Sequence, residues 1–116
     1  MTKSIYVGNA DTDAPAHRGW LLGHFMPEAD ARHSADVEIK WGDHRAGDQR
    51  AQWVTDEHRT AVIVLVSGRF RVDLPGPSVR LARRGDYVVF TGVGHSWEAE
   101  EDSITLVVRW PSVPGF

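Results

Sequence analysis

His95 is the residue best suited to chemistry in this sequence, because it follows a glycine-containing loop and opens an apolar segment. An imidazole titrates near neutral pH, so it can carry a proton between two atoms of a substrate. A carboxylate close to it, such as that of Glu57, could orient the ring or act as a partner base. We therefore predict His95 and Glu57 as catalytic residues, against the alternative that His95 is structural.

Three more residues, Arg59, Trp97 and Trp53, are predicted to bind a substrate. Alternate residues of a strand share a face, so Arg59 lies beside Glu57 and Trp97 lies beside His95. A buried Glu57–Arg59 ion pair is costly unless it is hydrogen-bonded or meets a ligand. Trp53 is expected to roof the pocket. This set predicts a pocket for a small polar or carbonyl-bearing molecule, with Arg59 at the rim and Trp97 in the core as the alternative.

A divalent transition metal is a possible cofactor, and its candidate ligands are His95, Glu57, His58 and His44. Such an ion needs three or four nitrogen and oxygen ligands at about 2.0–2.2 Å. Glu57 and His58 are neighbours, and neighbours on a regular strand point to opposite faces. The set therefore offers three ligands at most. In the alternative interpretation, His44 and His58 are solvated loop residues.

The composition is that of an ordinary globular domain: 116 residues, 41% of them hydrophobic and 25% charged. The net charge of −3 leaves no basic excess for phosphates, so we predict no nucleic-acid partner. The absence of cysteine excludes disulfides and thiolate sites. No apolar run approaches the roughly 18 residues of a membrane span, and the first ten residues lack a secretory pattern. We therefore predict a cytoplasmic protein with no membrane partner.

Short apolar segments separated by turns predict about eight strands and under roughly 10% helix. The predicted strands cover residues 19–26, 35–41, 60–66, 69–74, 79–82, 87–90, 95–99 and 104–110, and residues 9–18 are predicted to be a loop. In the second strand, Val37, Ile39 and Trp41 are expected to face the core. The β-branched third strand is expected to be covered on both sides. The pattern predicts an all-β fold and leaves a jelly roll and an immunoglobulin-like sandwich open, although the lack of cysteine disfavours the latter.

Residues 85–97, GDYVVFTGVGHSW, resemble the second motif of the cupin family, with matches at Gly85, Asp86, Gly92 and His95. Residues 57–70 resemble the end of the first cupin motif. The resemblance implies a cupin-type antiparallel β-barrel, which is a double-stranded β-helix or jelly roll. It also implies one domain over residues 1–116, with an N-terminal arm at 1–18 and the barrel core at 35–110.

The resemblance also bears on function. Metal-binding cupins use two histidines, a glutamate and the second-motif histidine, and the first three places fall near Thr55, Glu57 and Ala61 here. The resemblance implies a metabolic protein that binds a small molecule. Metal-free acid/base catalysis (of the isomerase, epimerase, dehydratase or cyclase type), non-catalytic ligand sensing and a metal-dependent enzyme all remain open. Small cupins commonly dimerise through an N-terminal strand, so the apolar segment 19–26 predicts a homodimer.

Overall fold

The computed structural model describes residues 4–50, 52–55 and 57–114, and these form two antiparallel β-sheets. The large sheet contains, in spatial order, β1 (Trp20–Leu22), β2 (Glu38–His44), β8 (Ser103–Trp110), β3 (Thr60–Ser67) and β6 (Tyr87–Thr91). The small sheet contains β5 (Val79–Leu81), β4 (Phe70–Asp73) and β7 (Ser96–Ala99). The all-β prediction, with eight strands in the described residues, is confirmed.

The N-terminal arm contains two short helical turns where the sequence predicted a loop. These are α1 (Ala10–Asp13) and a 3-10 turn (Ala14–His17). The side chain of Asn9 caps α1 by accepting a hydrogen bond from the Asp11 N–H at 3.0 Å. Residues 1–3 of the predicted arm lie outside the described residues. In the part of the chain that is described, helix is limited to these turns, and no helix is long and apolar enough to cross a membrane.

The core lies between the two sheets. Leu65 of β3 and Val72 of β4 are completely buried, and Phe70 is nearly so. The predicted alternation of β4 is confirmed, because Arg71 and Asp73 lie on its outer side and pair with each other at 2.8 Å. The inner residues of the third strand are buried, whereas its outward residues remain partly exposed in the single chain, so its coverage on both sides stays a prediction.

Strand β2 faces the opposite way from the prediction. Glu38 is only 1% exposed, and Lys40 lines the space between the sheets. Trp41 instead packs outside the barrel beneath the N-terminal arm, where its indole N–H donates to Asp11 at 2.9 Å. An alternating pattern identifies the two faces of a strand but not which of them is buried. Here the polar face is buried because Arg59, which directly precedes β3, and Arg109 of β8 supply ionic partners for Glu38.

The apolar segment 19–26 forms a strand only at Trp20–Leu22, the edge strand of the large sheet. Met26 is buried, and the ring of Trp20 packs against Phe25 at 5.0 Å between centroids. Much of the apolar area that motivated a dimer at this segment is therefore covered by the chain itself.

Candidate ligand cavity

A cavity of about 480 Å³ lies between the two sheets. This volume is in the range of pockets that hold small organic molecules. Five predicted site residues line it, namely His95, Arg59, Trp97, Trp53 and His44, whereas Glu57 does not. Trp53 is nearly half exposed, which places it at the mouth. Phe70, Phe90 and Trp97 give the cavity an aromatic wall.

Arg59 is held in a buried ionic cluster. Its Nε and Nη2 donate to the two carboxylate oxygens of Glu57, each at 2.8 Å, and its Nη1 donates to Glu38 at 2.7 Å. The backbone N–H of Arg59 also donates to Glu57, at 2.9 Å. All three side chains are at most 3% exposed. The cluster therefore contains the Glu57–Arg59 pair expected from the sequence, together with a second carboxylate that the sequence analysis missed.

These contacts define the chemistry available to Glu57. Burial alone would raise the pKa of its carboxyl group, but the hydrogen bonds from Arg59 outweigh burial and lower the pKa to about 2. Glu57 is therefore ionised at neutral pH, and both oxygens already accept hydrogen bonds from Arg59. This arrangement favours a role in positioning Arg59 over the predicted role as a base, which stays untested.

Glu38 is the second centre of the cluster. Besides Arg59, it accepts a hydrogen bond from Nη2 of Arg109 at 2.9 Å and one from the Ser112 hydroxyl at 3.1 Å. The hydroxyl of Ser112 accepts in turn from the backbone N–H of His24 at 3.0 Å. Glu38 thus ties β2 to β3, β8 and the segment after β8. The signal that could have revealed it is the presence of arginines on strands otherwise rich in apolar residues.

His95 lies in the wall of the cavity and is 7% exposed. Its ring packs against Phe90 at 4.7 Å between centroids. Burial, assisted by the charge of Arg50, lowers the pKa of His95 despite the opposing effect of Glu57. The imidazole is therefore neutral at pH 7. Its Nδ1 is buried and makes no hydrogen bond of normal geometry among the described residues, although a backbone contact with Val93 acts to raise the pKa of the ring.

The glycine loop before His95 is shaped by the segment at the mouth of the cavity. The backbone N–H of Val54 donates to the His95 carbonyl at 2.9 Å. A Cβ atom at Gly94 would lie 2.5 Å from the Val54 carbonyl oxygen, so only glycine permits this approach. The same segment carries Trp53. Gly94 therefore allows Trp53 and His95 to lie at the same end of the cavity.

The described residues do not offer the donor set of a metal. Of the predicted ligands, His58 is exposed, and Glu57 is engaged by Arg59. His44 lines the cavity, but its ring packs against Trp97 at 4.4 Å between centroids. No group of three or more His, Cys, Asp or Glu side chains in the described ranges could hold a metal ion. Metal binding stays a prediction, which elemental analysis of the purified protein would test.

Comparison with known proteins gives a fold. No protein-family model and no curated protein matches this chain. The KdgF structure from Halomonas sp. is 26% identical, with a TM-score of 0.60, and the match covers 68% of this chain and 73% of that one. A cupin-2 domain protein from Shewanella frigidimarina is 17% identical over 88% of this chain and 92% of that one, with a TM-score of 0.59.

A third match is a conserved protein of unknown function from Streptococcus pyogenes. It is 21% identical, with a TM-score of 0.58, and the match covers 65% of this chain and 64% of that one. This chain thus spans less than two thirds of the length of that protein. Together with the two-sheet topology, the matches show that the chain is a small domain with the cupin fold. The resemblance of residues 85–97 to a cupin motif is therefore confirmed at the level of fold.

Proposed function

We propose that the cavity binds a small molecule and that His95 exchanges a proton with it. The observation that carries this proposal is the position of His95, a histidine whose pKa is lowered by burial, in the wall of the cavity beside the ring of Phe90. A neutral imidazole can accept a proton from one atom of a bound molecule and return it to another. That transfer leaves the protein unchanged and is the chemistry of isomerases and epimerases. Similarity to cupin-fold proteins supports the small-molecule role.

The surrounding residues have distinct tasks in this proposal. Trp97 and Trp53 contact the body of the ligand, Trp97 from the aromatic wall and Trp53 from the mouth. Arg59 lines the cavity, and Glu57 and Glu38 hold its guanidinium in place. A buried guanidinium with fixed partners needs no rearrangement when a ligand arrives. The competing function, ligand sensing without turnover, uses the same contacts and lacks only the proton transfer.

Replacing His95 by alanine should abolish conversion of the ligand while the protein stays folded. Immobilised protein is incubated with a metabolite extract, and mass spectrometry identifies molecules that are retained or converted to an isomer. We expect the wild type to convert at least one molecule and His95→Ala to convert none. His17→Ala is the matched control, since His17 lies in the N-terminal arm and is not part of the cavity wall. Full retention and conversion by His95→Ala would show that His95 is structural, whereas retention without conversion by the wild type would indicate sensing.

We also propose a homodimer, formed through the outer face of the large sheet instead of segment 19–26. Tyr87, Val89 and Trp110 are each at least 40% exposed on this face. In the sheet they lie opposite Val64, Val62 and Thr60 respectively, so the exposed area is continuous. A contiguous apolar area of this kind marks an interface more often than a free surface. Symmetric pairing would cover it on both copies at once.

Light scattering at tens of micromolar should give twice the chain mass for the wild type. Val89→Lys should give a monomer, because a charge at the centre of an apolar interface is left without a partner. Val7→Lys, at another exposed valine, should stay dimeric. A monomeric wild type would contradict the dimer. If Val89→Lys stays dimeric and Phe25→Lys becomes monomeric, the interface lies at segment 19–26 instead of the outer face of the large sheet.

A further inference from the structure

The charged residues that line the cavity are all of one sign. Among the described residues of its wall, four carry a full charge, and all four are cations: Lys40, Arg50, Arg59 and Arg109. The chain as a whole has a net charge of −3. The wall of the cavity is thus positively charged, whereas the chain as a whole is negatively charged. Walls of low dielectric concentrate such a field and attract ligands of opposite charge.

The two carboxylates of the cluster compensate only part of this charge. Glu57 and Glu38 face Arg59, and Arg109 shares one oxygen of Glu38 with it. Lys40 and Arg50 have no carboxylate within salt-bridge distance among the described residues. In addition, Nε of Arg109 is buried without a hydrogen-bond partner in the described part of the chain.

Lys40 and Arg109 are brought together by one aromatic ring. The Lys40 ammonium lies 5.3 Å from the centroid of the Trp20 ring, and the Arg109 guanidinium lies 4.7 Å from it. Burial, together with the charges of Arg109 and Arg50, lowers the pKa of Lys40. The electron-rich face of the indole offsets part of this repulsion. An anion bound beside the two cations would offset the rest.

We propose that the cavity takes an organic carboxylate and that Lys40 and Arg109 bind its carboxylate group. This inference rests on the proposed function and adds the chemical class of the ligand. A guanidinium and an ammonium together match the two oxygens of a carboxylate. The aromatic wall of Phe70, Phe90 and Trp97 suits the body of the ligand. His95 lies in the same cavity. In this proposal it exchanges a proton with an atom of the ligand outside the carboxylate group that Lys40 and Arg109 bind.

Benzoate and benzamide form a matched pair of probes, because they share a shape and differ in charge. Binding is followed by quenching of tryptophan fluorescence, since Trp20, Trp53 and Trp97 line the cavity. At constant ionic strength, benzoate should bind the wild type at least about tenfold more tightly than benzamide. Lys40→Gln should remove that preference. Arg83→Gln makes the same change of charge at a side chain that is 90% exposed, and it should keep the preference.

Lys40→Gln is chosen over a change at Arg109 because Arg109 also supports Glu38. Benzoate that binds no more tightly than benzamide, or a preference that survives Lys40→Gln, would overturn the carboxylate inference. If benzamide binds and benzoate binds no more tightly, only the carboxylate inference fails and the proposed function stands. If neither probe binds, the carboxylate inference and the proposed function both fail. Inorganic phosphate that binds more tightly than benzoate and depends on Lys40 would overturn the carboxylate in favour of a phosphate.

Discussion

Replacing Arg59 by methionine should lower the free energy of unfolding by about 3–5 kcal/mol. The change leaves Glu57 and Glu38 buried without the guanidinium that both of them contact. Two carboxylates with no cation between them repel each other and lose their hydrogen bonds. Arg109 remains as a partner for Glu38 only. Urea unfolding at pH 7 and 25 °C measures the loss.

The control for this change is Arg80→Met. Arg80 pairs with Glu100 at 3.1 Å, but its side chain is about half exposed. Exposed pairs contribute about 1 kcal/mol or less, so this variant should lose little stability. Similar losses in the two variants would contradict the assignment of Arg59 as the centre of a buried cluster.

The pH dependence of stability provides an independent measurement of the same cluster. Glu57 has a pKa of about 2 in the folded chain, against an ordinary value of 4.5. Its contribution, on the order of 3 kcal/mol, is therefore complete above about pH 4.5 and is lost as the pH falls toward 2. In Arg59→Met, protonation of the carboxylates relieves their repulsion. The difference in stability between wild type and variant should accordingly narrow between pH 7 and pH 3.

Leu65→Ala should lower the free energy of unfolding by about 2–5 kcal/mol. Leu65 is fully buried in β3, between the two sheets, so truncation removes apolar contacts and leaves a void. Urea unfolding at 25 °C measures the change. Val64→Ala is the control on the same strand, because Val64 faces outward and is only partly buried. That variant should lose less than about 1.5 kcal/mol.

Leu65→Ala should also bind benzoate with wild-type affinity under conditions where it is folded, since Leu65 is not part of the cavity wall. Stability and binding would then be affected by different residues, Leu65 and Lys40 respectively. Equal destabilisation by Leu65→Ala and Val64→Ala would show that the inner face of β3 is not the core.

The sequence predicted the strands best where one face is apolar and the other is solvated. Strand β4 is such a case, because Phe70 and Val72 are buried while Arg71 pairs with Asp73 on the outside. Strand β2 shows the limit of this rule. Its polar face carries the buried Glu38, and Trp41 on its apolar face contacts helical turns that were predicted to be a loop. The sequence pattern shows that polar and apolar residues alternate along a strand. Which of the two faces is buried depends on the residues that distant strands place against it.

The same limit applies to the cavity. Arg59 and Trp97 were found because each lies two residues from another candidate, and His95 because it follows a recognisable loop. Lys40 and Arg109 were missed, although the carboxylate inference depends on both. Their proximity comes from the pairing of β2 with β8, where Lys40 lies opposite Val107 and Glu38 lies opposite Arg109. Such a register between distant segments is absent from any short window of sequence.

Glu38 contacts residues that are far from it in the sequence, and this affects the rate of folding. Its hydrogen bond to Ser112 joins residues 74 positions apart, and β2 pairs with β8 along its whole length. Closing so large a loop loses chain entropy before the contacts that offset it can form. Topologies dominated by such distant pairings refold in roughly milliseconds to seconds, far more slowly than helical bundles. The cavity is complete only once β8 has entered the sheet and brought Arg109 to the carboxylate of Glu38.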